Sequence, residues 1–219
     1  MTRARATTTD HPPGSVEIRG SLLLGRLGFV RKRYGEPAVG RVLEALEDRA
    51  AAARLSTGVE PGLWYPFDTF VALSEAIDRV CGRGDGALLR PMAAAAADAD
   101  RGLRGPTRVL LRIASVGLLL EKAGTSWRQL YTSGRLVIRR SEERLVEVEL
   151  ADFETPHAVH CEAVAGWLER YLAIGGFADG RATHTACRAR GDAACLFAVA
   201  WSPPKSAATG GVPERRGPE

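Results

Sequence analysis

The segment from Pro156 to Trp201 constrains this chain more than any other. It holds three of the four cysteines, Cys161, Cys187 and Cys195, in a C-x25-C-x7-C pattern, and three of the four histidines, His157, His160 and His184. Its apolar residues change period along the way. Cys161, Val164, Leu168, Tyr171 and Leu172 recur at helical spacing after Pro156, and Gly175-Gly176 ends that helix. The stretches 181–188 and 195–201 then read as two closing strands around a tight turn at 189–193, with Cys195, Phe197, Val199 and Trp201 facing one way. Cys161 therefore sits on the helix, Cys187 near the end of one strand and Cys195 at the start of the next. Zinc takes four ligands in a tetrahedron, most often thiolates and imidazoles, and Cys161, His184, Cys187 and Cys195 supply that complement. Residues three apart on a regular strand point to opposite faces, so His184 and Cys187 can share an ion only if a bulge lies between them. The alternative is that the cysteines are core residues and His184 faces solvent. The spacing is not that of a C-x2-C knuckle.

Upstream of this segment, Leu136–Ile138 and Leu145–Leu150 are β-type runs. In the second, Val146, Val148 and Leu150 alternate with Glu147 and Glu149, as in a half-buried antiparallel strand. The C-terminal half thus reads ββαββ. The N-terminal half reads as helices. One spans 21–34 and stops at Gly35; another runs from Pro37 to about Arg54, followed by a loop at 56–62. A third begins near Asp68 and carries Phe70, Leu73, Ile77 and Val80. An alanine-rich helix covers 88–100. Pro106 opens another with Val109, Leu110, Ile113, Val116 and Leu120, and Trp127, Leu130 and Tyr131 suggest a further short one. The expected fold class is α+β, with an N-terminal helical layer packed on a C-terminal antiparallel sheet of ββαββ order. One domain is expected over 16–201, between a disordered arm at 1–15 and a disordered tail at 202–219.

Charge excludes little. The formal net charge is +4, and only Lys32, Lys122 and Lys205 are lysines. Several basic residues fall in the expected tails, and no basic stripe marks a folded face, so no nucleic-acid partner is expected. No apolar leader and no run long enough to span a bilayer is present, which points to a cytoplasmic protein without a membrane partner. Thiols stay reduced there, so clustered cysteines suggest metal, catalysis or core packing rather than disulfides. His157 lies one helical turn before Cys161, but no Asn or Asp stands ready to orient a Cys–His pair, and no catalytic residue is assigned. The segment Cys81–Gly86 lacks the G-K-[ST] of a phosphate loop and reads as a helix end, with Cys81 a small buried residue. Trp64, Tyr65, Phe67, Trp127 and Tyr131 are either core anchors or the lining of a ligand pocket.

Three resemblances add to this reading. Tyr131-x-Ser133-x-Arg135 resembles the haem-propionate clamp of the haem nitric-oxide-binding sensor family. Haem there needs an upstream proximal histidine, and none lies between His11 and His157, so haem is not expected. The series Gly20-Ser21-Leu22, Arg31 to Gly35, Trp64 to Phe67, Tyr131 to Arg135, Cys161, Gly166-Trp167 and Cys187 through Cys195 to Trp201 resembles an uncharacterised family described mainly from myxobacteria. The C-terminal half also resembles the 4-vinyl-reductase domain and the aromatic-sensing domains of phenol- and xylene-responsive activators, which share the α+β fold of the haem nitric-oxide sensors and bind small molecules. Their zinc site uses a cysteine, a glutamate three residues before a second cysteine, and a third cysteine after a glycine-containing turn. Cys161, Cys187 and Cys195 fall on those positions, with His184 in place of the glutamate. The resemblance implies a non-enzymatic small-molecule-sensing or regulatory domain with a structural zinc, a small hydrophobic ligand, and a protein partner or self-association to carry the signal. A metal-free protein-interaction scaffold is the alternative. An enzyme of the vinyl-reductase type lacks an acid–base constellation.

Overall fold

The computed structural model describes residues 15–99, 116–177 and 179–202. The expected N-terminal arm up to residue 14, the start of the Pro106 helix with Val109, Leu110 and Ile113, and the tail from residue 203 lie outside them. The chain enters through β1 (Glu17–Arg19), which pairs antiparallel with β2 (Trp64–Pro66), placing Ile18 opposite Tyr65. The aromatic run is therefore half strand: Trp64 to Pro66 pair with β1, and the helix starts only at Phe67.

Helix α1 (Gly20–Tyr34) ends at Gly35, whose φ of 83° suits glycine. The helix expected over 37–54 is two helices, α2 (Glu36–Glu44) and α3 (Arg49–Thr57). The reason is local. Asp48 is extended, and its Oδ1 accepts from Ala50 N at 2.9 Å and Ala51 N at 3.0 Å, so it caps a new helix rather than continuing the old one. Helix α4 (Phe67–Cys81) buries Phe70, Leu73 and Ile77, while Val80 and Cys81 are only half-buried. α5 (Leu89–Ala99) is the alanine-rich helix. α6 (Val116–Leu130) is one continuous helix that includes Trp127, because Val116, Leu119, Leu120, Ala123 and Trp127 form a single buried stripe.

Strands β3 (Arg135–Ser141) and β4 (Leu145–Ala151) follow, then α7 (Ala158–Ile174), β5 (Arg181–Ala186) and β6 (Cys195–Ala200). β3 runs three residues past Ile138, through a bulge between Ile138 and Arg140, so the turn begins only at Glu142. The sheet is antiparallel in the order β3–β4–β6–β5. Val146, Val148 and Leu150 of β4 and Cys195, Phe197 and Val199 of β6 are all buried, as their alternation requires. α5 crosses α7 where Gly166 faces Arg90: a Cβ at Gly166 would stand 2.6 Å from Arg90 Cα. The alanines of α5 and this glycine let the two helices meet backbone to backbone. Among the described residues, no helix is long and apolar enough to cross a membrane.

Candidate metal centre and helical cavity

The closing hairpin brings the three cysteines together. Cys161 Sγ lies 3.7 Å from Cys195 Sγ and 3.9 Å from Cys187 Sγ. All three are buried and none is disulfide-bonded. Sulfur ligands 2.3 Å from a tetrahedral zinc are separated by about 3.8 Å, so these spacings are those of a ligand set. The register of β5 on β6 slips between His184 and Ala186. That bulge is what lets His184 and Cys187 turn to one face. Cys161, a ring nitrogen of His184 and Cys187 lie within 4.8 Å of one another. Cys195 joins through its contact with Cys161.

The turn is shaped around the sulfurs. Cys187 leads into a one-turn 3-10 helix at 188–190 that closes on Gly191 in the left-handed conformation, φ 97°. The Asp192 carboxylate accepts from Cys187 N at 2.7 Å, and Arg188 N points at Cys195 Sγ at 3.4 Å. Burial pushes the Cys161 thiol well above its usual range, with Cys195 and Cys187 adding to the effect. Without a cation, the Cys161 sulfur stays protonated.

His184 is oriented from both sides. Its imidazole is 1% exposed and stacks on Phe197, with ring centroids 5.1 Å apart. Nδ1 meets Glu162 Oε1 at 3.1 Å, whereas Nε2 is buried without any hydrogen-bond partner. A buried unpaired imidazole nitrogen is costly, and a carboxylate on the opposite nitrogen is the usual outer support of a metal-bound histidine. Glu162 is itself held by Arg90 of α5, which also meets Glu169 Oε1 and the carbonyl of Ala182. One guanidinium thus ties α5, α7 and β5 behind the cluster.

A second feature lies where α1, α4, α5, α6 and α7 converge. His160, one residue before Cys161, is 1% exposed and stacks on Phe153 at 4.9 Å. Phe67, Trp127 and Tyr131 complete the aromatic ring around it. Its Nε2 is 3.2 Å from the Tyr131 hydroxyl, while Nδ1 has no partner. Burial, and to a smaller extent Arg26 and His157, lower its pKa to about 3, so the ring is neutral. Beside it is a cavity of ≈ 30 Å³, lined among others by Arg26, Phe70, Trp127, Tyr131, His160 and Trp167. Of the five aromatic pocket candidates, Trp127 and Tyr131 line this cavity. Phe67 packs behind it, against Phe153 and His160. The other two lie elsewhere: Trp64 sits under the Arg19 guanidinium at 3.9 Å, and the buried Tyr65 accepts from Glu60 N through its hydroxyl.

Sequence reading passed over Arg26, Glu162 and Arg90. Arg26 had a signal: it lies four residues after Leu22 and three after Leu23, on the apolar stripe of α1. Glu162 and Arg90 had none, since their partners are distant in the chain.

The side chains of Tyr131, Ser133 and Arg135 do not converge on one propionate site. Tyr131 is buried, stacked on Trp127 with centroids 4.1 Å apart, and its hydroxyl is engaged by His160. Ser133 Oγ donates to the Asp152 carbonyl, and Arg135 pairs with the Asp152 carboxylate at 2.7 Å. Ser133 and Arg135 fasten the entry of β3 to the exit of β4, while Tyr131 turns to Trp127 and His160.

No protein-family profile matches the chain, and no curated protein matches it. Solved structures do. An H-NOX protein from S. oneidensis in the Fe(II)NO ligation state is 12% identical with a TM-score of 0.62, over 85% of this chain and 100% of that one. The IWP-051-bound H-NOX from Shewanella woodyi in the Fe(II)CO state is 13% identical with a TM-score of 0.60, over 87% and 97%. The Fe(II) unliganded H-NOX protein from K. algicida is 11% identical with a TM-score of 0.59, over 85% and 97%. At such identities the likeness is one of backbone path: the chain has the α+β fold of the H-NOX domains.

Proposed function

We propose that this chain is a non-enzymatic small-molecule-sensing or regulatory domain on an H-NOX-like fold, in which one structural zinc staples the closing hairpin to α7. Cys161, His184, Cys187 and Cys195 hold the ion. The observation that carries the metal reading is a His184 ring nitrogen within 4.8 Å of the Cys161 and Cys187 sulfurs, with Nε2 buried and unpartnered while Glu162 supports Nδ1. Four protein ligands leave no open position for water, so the zinc is structural rather than catalytic. Sensing rests on the fold and on the aromatic-walled cavity between the helices. A small, largely apolar ligand binds at that cavity and the groove adjoining it, and its binding is passed to a protein partner, or a second copy of the chain, through the helical layer.

Elemental analysis of protein purified without added metal tests the staple; about one zinc per chain is expected. Chelation should lower the unfolding temperature, and Cys187→Ser should do the same without chelator. Metal-free protein that melts like the untreated protein would leave the cluster as core packing and favour the interaction scaffold. Loading with haemin is the companion experiment. A stoichiometric Soret band abolished by Tyr131→Phe would overturn the reading in favour of haem.

A further inference from the structure

Arg26 is a buried cation without a counter-anion among the described residues. It is 3% exposed. Its Nε donates to Ser74 Oγ at 3.1 Å, and Cζ sits 4.7 Å above the Phe70 ring. Among the described residues, no carboxylate meets it and its terminal nitrogens find no protein acceptor. Burial lowers its pKa only to about 10, so it remains charged at neutral pH. Among the described residues, nothing else at the cavity neutralises it. Burial holds the Tyr131 phenol up in its protonated form, and the Trp127 indole N–H is turned away to the Ser133 carbonyl. A desolvated guanidinium facing apolar walls is retained at a cost in stability, and what relieves that cost is an anion.

The space around it is graded in size. The cavity at Arg26, ≈ 30 Å³, holds about two waters at roughly 10–15 Å³ each, or the oxygens of one carboxylate. It abuts a groove of ≈ 510 Å³ between α1, α5 and α6, with which it shares Leu22, Ala96, Leu130 and Trp167. Small residues keep that groove open: a Cβ at Gly25 would meet only Ala96 Cβ, at 3.9 Å. A charged end and an apolar trough are thus joined at one wall.

We infer that this is the binding site for a monocarboxylate with a flat apolar body, its carboxylate paired with Arg26 and its body laid along Leu22, Leu130 and Trp167. A planar carboxylate matches the guanidinium fork, and the shared wall offers a hydrocarbon face rather than further cations, which disfavours phosphate esters and dianions. The inference rests on the reading of the chain as a small-molecule-binding domain. It is independent of the zinc.

The test uses the full chain as purified. 2-Naphthoate and its neutral isostere 2-naphthamide are titrated while unfolding temperature and tryptophan emission are followed, since Trp127 and Trp167 both line the site. The acid should raise the unfolding temperature in a concentration-dependent way and change the emission. The amide should bind at least tenfold more weakly. Arg26→Met should abolish the acid's advantage, and the ligand-free variant should melt no lower than the parent, because it loses an uncompensated buried charge. Equal binding of acid and amide, or acid binding that survives Arg26→Met, overturns the carboxylate assignment and leaves the small-molecule reading standing. No response to either compound, in a protein that folds and melts cooperatively, counts against both.

Discussion

Replacing Gly166 by alanine isolates the contact that brings α5 onto α7. In an open helix interior this change stabilises, because alanine is about 1 kcal/mol better than glycine. At Gly166 the new Cβ would lie 2.6 Å from Arg90 Cα, 2.8 Å from Arg90 Cβ and 2.8 Å from Arg90 O. Two of those atoms are backbone, so no side-chain rotation relieves the clash; α5 must move as a unit. Overpacking of this kind costs about 1–3 kcal/mol. The propensity gain offsets part of it, leaving a net loss of up to about 2 kcal/mol, or up to about 8 °C in unfolding temperature for a chain of this size. Gly28→Ala in α1 is the control: it is the same chemical change with nothing within 4 Å of the added carbon. It should raise stability by about 0.5–1 kcal/mol. Chemical denaturation of both variants, read by tryptophan fluorescence, gives the two signs. If Gly166→Ala tracks Gly28→Ala, the backbone approach of α5 to α7 is not real, and the Arg90–Glu162 link to the cysteine cluster falls with it.

Three further outcomes follow from named contacts. Glu162→Gln removes the charge behind His184 Nδ1 and should weaken zinc by about 10–100-fold in competition with a chromophoric chelator; unchanged affinity would show that His184 is not a ligand. Asp78→Ala leaves the backbone N–H groups of Gly86 and Leu88, which its carboxylate accepts at 2.7 and 3.0 Å, without partners and should cost about 1–3 kcal/mol in denaturant unfolding. Trp127→Phe keeps most of the stack on Tyr131 but loses the 3.1 Å bond to the Ser133 carbonyl; a loss near 1 kcal/mol is expected, and a loss above 3 kcal/mol would mean the indole is held by packing.

The sequence alone determines what neighbours three or four residues apart can decide. The periodicity of α1, α4 and α5, the alternation of β4 and β6, and the glycines that end α1 and α7 are all local, and they specify the elements. Where a local signal competed with periodicity, the reading failed: Asp48 caps a new helix inside an apparently continuous pattern, and Trp127 extends α6 because its stripe is already buried. The cysteine spacing placed three sulfurs beside one hairpin, and strand geometry demanded a bulge at His184, which the sheet contains. The side chains that complete the site were not legible. Glu162 reaches His184 and Arg90 only because α7 lies between β5 and α5, and Arg26 is a buried cation only because four other helices close over α1. Burial and charge compensation depend on contacts between residues tens of positions apart, and only the packed structure brings those residues together.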